Sequence, residues 1–495
     1  MDNLQGENRS YWKASTHAVS YSKLAKDEVA DVAVIGGGIS GILTAYYLAK
    51  EGLSVVLLEA KELIGGTTGG TTAKLTSQHQ TIYHDMIQRD GKDIAKQYYQ
   101  ANQDGRKLIE SIVNTHNIRC DFRKMDAYVF SQSGSQTKNL KNEETAYKEL
   151  DIDGELTDST PLDLKVACAL VMRDQAEFHP IKFLHGVLRE FETMGGKVYQ
   201  HTRYMDAEQN GEQLTITTDT PFTVSCQKVV LATLFPVEDP HSFYSNTLKP
   251  FTSHLTAFES EHAFDKGMYI SDDDPKRTFR GAEDSEKHML IVGGETHPTG
   301  DGSSTYEHYE SIRQFAENEF GLTKMLGYWS EHDLVSPDRR PFIGRIEKDD
   351  EQMYVMTGYS KWGLAIAATG ARLITDLILG KDNPYEQLLC PQRELSESEK
   401  EKAEQSASSI SIQAKTLKPG QAKRFELDGN PAGMYKDRNE TTHYLDLTCT
   451  HLGCEVAWND GDETWDCPCH GSIFDAKGSV LAGPAKLPLN NVNPY

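Results

Sequence analysis

DVAVIGGGISGILTAYYLAKEGLSVVLLE, residues 31–59, is the stretch that decides the fold of the larger part of this chain. It opens with a short apolar run, residues 31–35, which is typical of a buried parallel strand. A turn with the spacing G-x-G-x-x-G follows, then helical periodicity over residues 42–50 and a second apolar strand over residues 54–58. Strand, glycine turn, helix, strand and a closing acid predict a βαβ unit that binds a dinucleotide.

Each glycine of this turn has its own physical reason. Gly36 permits the tight turn, Gly38 lets the backbone approach a pyrophosphate, and Gly41 lets helix and strand pack closely. The helix N-terminus offers free N–H groups and a positive dipole end to a phosphate, and Glu59 stands where a carboxylate accepts hydrogen bonds from a ribose. The alternative is a glycine-rich turn without a ligand. The candidate cofactor-binding residues of this unit are Gly36, Gly38, Ile39, Ser40, Gly41 and Glu59.

Four later segments are needed to choose between FAD and NAD as the dinucleotide. Residues 65–73 read GGTTGGTTA, a small and polar loop that either runs along a cofactor or forms a flexible surface loop. Residues 229–233 (VVLAT) and 338–344 (DRRPFIG) combine apolar strand residues with turn residues. Residues 357–363 (TGYSKWG) form a predicted turn between a strand and the helical pattern that begins at Leu364.

Together these segments resemble the glycine oxidase and D-amino-acid oxidase-like flavoproteins. The resemblance implies FAD, with the loop 65–73 meeting the pyrophosphate and the flavin ring. It also implies that the helix N-terminus near Leu364 stabilises negative charge on the reduced flavin. Family members often have glycine after the threonine of VVLAT, whereas this chain has Leu234. The further cofactor-binding residues implied are Thr67, Thr68, Thr71, Thr72, Ala232, Gly344, Gly358, Trp362, Gly363 and Leu364.

Two cysteine boxes mark the C-terminal part of the chain. Residues 449–454 read CTHLGC and residues 467–472 read CPCHGS. Two cysteines and two histidines at this spacing can give two thiolates to one iron and two imidazoles to the other, which is the ligation of a Rieske 2Fe–2S centre. A structural zinc site is the alternative, because paired Cys and His residues also suit zinc.

The boxes resemble the cytochrome bc-type Rieske proteins. The resemblance implies Cys449, His451, Cys467 and His470 as cluster ligands, with imidazole edges that face solvent or a partner. It also implies a Cys454–Cys469 disulfide and a covering Pro loop at residues 483–485. Ser472 matches the serine that donates to a bridging sulfide. Phe474 replaces a tyrosine of high-potential members, which places the expected potential in the lower part of the bc-type range.

Composition restricts the partners and the compartment. The chain of 495 residues carries 51 Lys and Arg against 74 Asp and Glu, a formal charge of −23, which argues against a nucleic-acid-binding surface. No apolar run reaches the roughly 18 residues of a membrane-spanning helix, so a cytoplasmic protein without a transmembrane segment is expected. The remaining cysteines, residues 120, 168, 226 and 390, are scattered as in a reducing compartment, to which the proposed disulfide is an exception.

The expected fold is α/β. A Rossmann-like FAD-binding domain is interleaved with an antiparallel-sheet substrate domain, and a small all-β Rieske domain follows. We assign residues 1–85, 166–249 and 336–390 to the FAD-binding domain and residues 86–165 and 250–335 to the substrate domain. Residues 391–413 form a linker and residues 414–495 the Rieske domain.

The whole chain resembles bacterial FAD-dependent oxidoreductases with a fused C-terminal Rieske domain. The expected function is oxidation of a small-molecule amine or amino acid by hydride transfer to FAD, with electrons passing singly through the cluster to an external acceptor. The acceptor or donor, a protein or a quinone, stays open, and no catalytic residue is named. The alternatives are a reductase fed through the cluster and an O₂-using oxidase whose Rieske domain senses or docks. An oxygenase is disfavoured, because the sequence offers no candidate for the 2-His-1-carboxylate iron site that it would need.

Overall fold

The computed structural model describes residue 4 and residues 6–162, 164–284, 287–395, 417–427 and 429–492. These residues form helices and five β-sheets, and the α/β fold class is confirmed. Most of the predicted linker 391–413 and the first residues assigned to the last domain lie outside the described residues.

A six-stranded sheet carries the glycine motif. Its central strands are buried along their whole length, because helices cover one face of the sheet and strands of residues 204–226 pack against the other. All neighbours run parallel except the first pair. In spatial order the strands are Phe342–Arg345, Met353–Thr357, Lys228–Leu231, Val32–Ile35, Val55–Leu58 and Lys197–Tyr199. The helices Ile39–Lys50, Pro180–Thr193 and Gly363–Ile378 complete this part, and the first packs against both others.

A ten-stranded, mostly antiparallel sheet forms the second large layer. Its order is Glu7–Asn8, Met325–Val335, Lys249–Ser260, Lys287–Pro298, Arg277–Asp284, Met268–Ser271, Arg123–Ser131, Cys168–Glu177 and Lys74–Leu75, with Gly154–Thr157 also paired to Cys168–Glu177. The strands Lys74–Leu75 and Cys168–Glu177 come from segments that we assigned to the FAD-binding domain. They join this sheet because their partners lie here, and the exact domain boundaries stay a prediction.

The remaining elements connect and cover these sheets. The longer helices are Ile82–Asp90, Lys92–Thr115, Thr137–Leu150 and Thr305–Phe320, and the short ones are Tyr11–Ala14, Thr67–Gly70, Pro240–Ser242, Phe243–Thr247 and Glu386–Leu389. A four-stranded sheet is built from Tyr204–Asn210, Gln213–Thr218, Thr223–Cys226 and Glu28–Val29. Within the described ranges, no helix combines the length and the apolar character that crossing a bilayer demands.

The C-terminal domain, residues 417–492, consists of two small antiparallel sheets. One contains Ala422–Leu427, Asn430–Lys436 and Thr442–Asp446, and the other contains Ala457–Asn459, Thr464–Asp466, Ile473–Asp475 and Val480–Ala482. Its core is separate from those of the large sheets and includes the buried side chains of Leu447, Trp465 and Phe474.

Polar side chains fasten the C-terminal domain to the helix Thr305–Phe320. The Asp460 carboxylate accepts hydrogen bonds from the backbone N–H groups of Thr305 (2.9 Å) and Tyr306 (3.3 Å) and from the Ser304 hydroxyl (2.9 Å). Tyr309 donates from its hydroxyl to Asp462 (2.9 Å). Asp460 therefore caps the N-terminus of a helix that belongs to the other part of the chain.

Candidate functional site

A cavity of about 1000 Å³ opens at the carboxyl ends of Val32–Ile35 and Lys228–Leu231. This edge of a parallel sheet is where ligands bind in open α/β folds. Most of the predicted cofactor-binding residues line the cavity: Gly36, Gly38, Ile39, Ser40, Glu59, Thr67, Thr68, Thr71, Thr72, Ala232, Trp362, Gly363 and Leu364.

The glycine turn has the shape that a pyrophosphate needs. Gly36 has a φ of 108°, and a Cβ there would lie 2.4 Å from the carbonyl oxygen of Ala232. A Cβ on Gly41 would lie 1.9 Å from the Gly36 carbonyl oxygen, so this glycine permits close helix packing. At Gly38 a Cβ would meet only the Thr68 hydroxyl, at 3.2 Å, which leaves space over the helix N-terminus. The backbone at Gly38 is therefore open to a phosphate.

Glu59 ties the loop together at the mouth of the cavity. Its carboxylate accepts hydrogen bonds from the N–H groups of Gly37 (2.7 Å) and Lys61 (2.8 Å). Burial raises the pKa of Glu59, although both hydrogen bonds act in the opposite direction. The carboxylate can still accept from a ribose hydroxyl, because each of its oxygens has two lone pairs.

Three predicted cofactor residues do not line the cavity. Gly41 packs against the turn, as described above. Gly344 has a φ of 154°, and its Cβ would lie 2.9 Å from the Pro391 ring. Gly358 has a φ of 73°, and its Cβ would lie 2.9 Å from Leu248. These glycines shape the chain around the cavity and do not border it.

The position that differs from the family pattern keeps the backbone conformation that glycine would adopt. Leu234 has a φ of 65°, in the left-handed region. Its carbonyl accepts a hydrogen bond from the Thr357 hydroxyl. The turn therefore survives the change from glycine at the cost of backbone strain.

A strained turn places Lys361 in the cavity. Ser360 and Lys361 have φ values of 50° and 74°. The Asp333 carboxylate accepts from the backbone N–H of Lys361, and Ser360 donates to the Leu334 carbonyl (3.0 Å). The Lys361 ammonium donates to the hydroxyls of Ser253 (2.9 Å) and Thr296 (2.7 Å). Burial lowers the pKa of Lys361 to about 7.

Two further aspects of this cavity bear on the sequence predictions. Lys74, Tyr359 and Lys361 line it together with the predicted Trp362, whereas His79 stacks behind Trp362 with ring centroids 4.7 Å apart. Residues 201–204, beside Glu59, also line it and were not predicted. They belong to no motif. The pairing of Lys197–Tyr199 with Val55–Leu58 brings them there, and the N–H groups of His201 and Thr202 donate to the carbonyls of Lys61 and Glu59.

The two cysteine boxes fold into matching loops. In the first, the N–H of Cys449 donates to the carbonyl of Cys454, and the N–H of Gly453 donates to that of Cys449. In the second, Cys467 donates to Ser472 and Gly471 to Cys467 in the same pattern. Gly453 and Gly471 both have positive φ, 80° and 71°, which is why each loop carries glycine at this position.

The donor atoms of the loops converge. The Cys467 thiol donates a hydrogen bond to Cys449 and lowers the pKa of Cys449 to about 6. The rings of His451 and His470 lie 4.9 Å apart. The Nδ1 atoms of both rings are buried and have no hydrogen-bond partner in the part of the chain that the structure describes. Two neighbouring cysteine sulfurs and two buried imidazole nitrogens without a partner among the described residues suit a Rieske cluster.

The disulfide between Cys454 and Cys469 is formed and joins the two loops. Ser472 is buried, and its hydroxyl accepts a hydrogen bond from the N–H of Ala485 (3.1 Å). The Pro loop, residues 483–485, therefore rests on the second cluster loop, and it also lines the large cavity.

The cluster loops face the cavity domain. Phe235 is 1% exposed, and its ring centroid lies 5.8 Å from that of His451 and 5.9 Å from that of His470. It directly follows Leu234, which lines the cavity, and residues 481–486 line the same cavity from the other side. The two histidines, expected to face solvent or a partner protein, are instead half-buried against this chain's own domain.

Two family models match the chain. The model described as FAD dependent oxidoreductase matches residues 31–377, and the model described as Rieske [2Fe-2S] domain matches residues 409–493. The chain belongs to the FAD-dependent oxidoreductase family. Its first domain binds FAD, and its C-terminal Rieske domain binds a 2Fe–2S cluster. The predicted recognition, cofactors and enzyme class are thus confirmed.

Relatives of this flavoenzyme support the same architecture. The Rieske 2Fe-2S iron-sulfur protein YhfW of Bacillus subtilis (strain 168) is 36% identical over 98% of this chain and 97% of its own length. Gamma-glutamylputrescine oxidoreductase of Escherichia coli (strain K12) is 22% identical over 75% of this chain and 89% of its own. The crystal structure of glycine oxidase from Geobacillus kaustophilus superposes with a TM-score of 0.64 at 14% identity, covering 74% of this chain and 100% of that one.

Proposed function

We propose that this chain oxidises an amine or amino acid and delivers the electrons singly, through the Rieske domain, to an external one-electron acceptor. The observation that carries the proposal is the position of Phe235. This ring contacts both cluster histidines and follows a residue that lines the FAD cavity. When bound, FAD supplies a hydride acceptor and the cluster a one-electron carrier. The relative that acts on gamma-glutamylputrescine supports an amine as substrate.

The electron balance of the reaction is simple. The substrate loses a hydride from the carbon next to nitrogen and a proton from the nitrogen, which leaves an imine. Water then converts the imine to a carbonyl compound and a free amine or ammonia. The two electrons leave the protein in two separate steps, so two equivalents of a one-electron acceptor are consumed for each substrate.

Two lysines at the cavity wall can act as bases. Burial lowers the pKa of Lys74 and of Lys361 to about 7, so either can be neutral near physiological pH. Lys74 is fixed by hydrogen bonds to the Tyr269 carbonyl and the Thr278 hydroxyl. The Lys361 Nζ donates to two hydroxyls and lies 5.7 Å from the centroid of the Phe251 ring. We assign to Lys361 Nζ the proton that the substrate nitrogen releases.

An anaerobic screen of amines and amino acids tests the proposal. A true substrate should bleach the flavin absorbance and then produce the paramagnetic signal of the reduced cluster. If the flavin bleaches while the cluster stays oxidised indefinitely, the relay is rejected, and an O₂-using oxidase with a sensing or docking Rieske domain is favoured. A donor that reduces FAD only while Cys467 is intact would instead show the reverse, reductase direction.

A further inference from the structure

Three histidines converge outside both cofactor sites. His254 lies in the strand Lys249–Ser260, His297 in Lys287–Pro298 and His308 in the helix Thr305–Phe320. One ring nitrogen of each lies within 4.8 Å of the others. The Nε2 atoms of His254 and His297 are 3.1 Å apart. The three rings lie nearly parallel, with centroids 4.7–5.3 Å apart. We call these residues the histidine cluster.

The histidine cluster does not line the FAD cavity. Ser253 and Thr296 carry the hydroxyls that contact Lys361 at the cavity. Successive side chains of a strand alternate between faces, so the neighbouring His254 and His297 point away from these hydroxyls. The two sites are close, because Thr252, on the face of His254, hydrogen-bonds with His332, which lines the cavity.

A β-bulge brings the histidines together. His254 pairs with Gly294, but Thr252 pairs with His297, so the second strand holds one extra residue between these pairs. Without the extra residue, Thr296 would oppose Thr252 and His297 would point to the other face. Glu295, inside the bulge, has a φ of 48°, a strained conformation for a residue other than glycine. Bulges that redirect a side chain often lie next to functional sites.

In two of the rings, the Nδ1 atom is near a carbonyl or carboxylate oxygen, as in metal-binding histidines. His297 Nδ1 lies 2.9 Å from the Pro298 carbonyl oxygen and 3.3 Å from the Asp301 carboxylate. His308 Nδ1 lies 3.4 Å from the Glu295 carboxylate. A carbonyl or carboxylate on one ring nitrogen fixes the tautomer and leaves the other nitrogen free to bind a metal.

We propose that His254, His297 and His308 bind one divalent cation of the class that imidazole prefers, such as Zn²⁺. Zinc binds imidazole nitrogen at about 2.0–2.1 Å, so two nitrogens on one tetrahedral ion lie roughly 3.4 Å apart. The 3.1 Å separation of the two Nε2 atoms is close to this distance. Burial lowers the pKa of His254 and His297, which keeps both rings neutral. The Ser303 hydroxyl, 3.1 Å from His308 Nε2, has to rotate or move when the ion binds there.

The ion has a structural consequence for the Rieske domain. His308 stands in the first turns of the helix that Asp460 caps, and a Cβ on Gly300 would lie 3.1 Å from the Pro468 nitrogen. An ion shared by two strands and this helix fixes the surface on which the Rieske domain rests. The inference does not depend on the substrate or on the direction of electron flow.

Zinc uptake by the holoenzyme tests the site. The protein with FAD and cluster is treated with a chelating resin, incubated with one equivalent of ZnCl₂ and desalted, and zinc and iron are measured together by mass spectrometry. We expect about one zinc per chain beside the cluster iron, and a Zn K-edge absorption spectrum that fits three imidazoles. His297→Gln should lose the zinc and keep the iron. His241→Gln serves as control, because His241 is an exposed histidine with its side chain 90% accessible.

The contrary outcomes are equally definite. Wild-type protein that retains no zinc, or His297→Gln protein that retains as much as wild type, overturns the proposal and leaves a hydrogen-bonded histidine group. His308→Gln provides a second variant if His297→Gln is produced in poor yield, with FAD and iron content as measures of correct folding. Zinc uptake that rises only as iron is lost would place the metal in the cluster loops and would also reject the site.

Discussion

Phe235 lies between the predicted cluster histidines and the wall of the FAD cavity. Its ring is almost fully buried and stands edge-on to both cluster histidines. The backbone just before it passes along the FAD cavity through Ala232 and Leu234. Its edge-on packing against both rings restricts how the imidazoles can turn.

We expect Phe235→Ala to slow reduction of the cluster by about tenfold, equivalent to about 1.4 kcal/mol in the barrier. Reduction of FAD by the substrate should stay at the wild-type rate. The measurement is anaerobic stopped-flow absorbance at wavelengths that separate flavin and cluster. Phe235→Leu keeps much of the volume and should be less affected. Equal cluster rates in all three proteins would show that Phe235 plays no part.

Lys361 should give the reaction a pH dependence. Because burial lowers its pKa to about 7, the amine becomes neutral, and able to take a proton, as the pH rises through this value. The rate of FAD reduction should therefore increase as the pH rises through 7. Lys361→Met should lose this limb, the pH-dependent rise, and should react about tenfold more slowly than wild type above pH 7. The pH profile of single-turnover FAD reduction is the measurement. Retention of the limb in Lys361→Met and its loss in Lys74→Met would assign the proton to Lys74 instead.

At the scale of elements, the helix Thr305–Phe320 is the support of the Rieske domain. The backbone N–H groups of its first residues have no partner within the helix. They donate to the carboxylate of Asp460, which belongs to the Rieske domain. Thr305 adds hydrogen bonds to Asn459 (2.6 Å) and from Gly461 (2.6 Å). A domain held at a helix terminus in this way has a defined orientation.

Asp460→Ala should weaken this docking by about 1–2 kcal/mol, the usual value of an N-cap. Hydrogen exchange of the amides of Thr305 and Tyr306 should become faster, while exchange within the Rieske core stays slow. Asp460→Asn keeps a hydrogen-bond acceptor, so its exchange rates at these amides should lie between those of wild type and Asp460→Ala. Unchanged exchange at residues 305 and 306 in the alanine variant would contradict the capping role.

A second element-scale prediction concerns the strand Phe342–Arg345. Arg393 donates to both carboxylate oxygens of the buried Asp338 (2.7 and 2.8 Å) and to backbone carbonyls that include that of Pro341. Burial acts to raise the pKa of Asp338, but the hydrogen bonds and positive charges of Arg393 and Arg340 together outweigh it, and the net pKa is lowered. The stability from Asp338 is then fully present above the ordinary carboxyl pKa of about 4 and is lost as the pH falls through the lower folded value.

Asp338→Asn should therefore reduce the free energy of unfolding by about 3–5 kcal/mol at pH 7, because a buried charge loses its partner. The difference from wild type should shrink as the pH falls below about 4. Urea unfolding followed by circular dichroism at several pH values measures both effects. A difference that is independent of pH would mean that Asp338 is not ionised in the folded protein.

At the scale of the whole molecule, the Rieske domain forms one wall of the FAD cavity. The domain has a hydrophobic core of its own, so it can be removed without opening the cores of the large sheets. Its residues 481–486, together with Asp462, Thr464 and Ile473, line the cavity. The two cofactor sites therefore share a boundary.

A chain that ends at residue 395 should fold and bind FAD about tenfold more weakly, equivalent to about 1.4 kcal/mol. The reason is that one wall of the cavity is missing and water enters. Flavin fluorescence titration of the truncated and full-length apoproteins is the measurement. Affinities that agree within error would show that the Rieske wall does not contribute to FAD binding.

Much of the organisation could be predicted from local sequence. The glycine turn, its flanking strands and Glu59 form a short-range unit whose geometry follows from backbone sterics and helix termini. The two cysteine boxes are equally local, because the matching glycines at residues 453 and 471 set each loop. The strands Val32–Ile35 and Val55–Leu58 differ from the predicted ranges by a residue at their ends. Gly344 and Gly358 do not line the cavity and have positive φ values, and their assignment to the cofactor stays a prediction.

The sequence alone determined which cofactors this protein holds, because each depends on residues that are close together in the chain. Only the tertiary structure decided how the two sites are arranged. The contact of Phe235 with the cluster loops spans more than two hundred residues, and the cap of residue 305 by Asp460 spans more than one hundred and fifty. The histidine cluster depends on a β-bulge between two strands. Such contacts follow from the packing of whole sheets and domains, and no local pattern of residues specifies them.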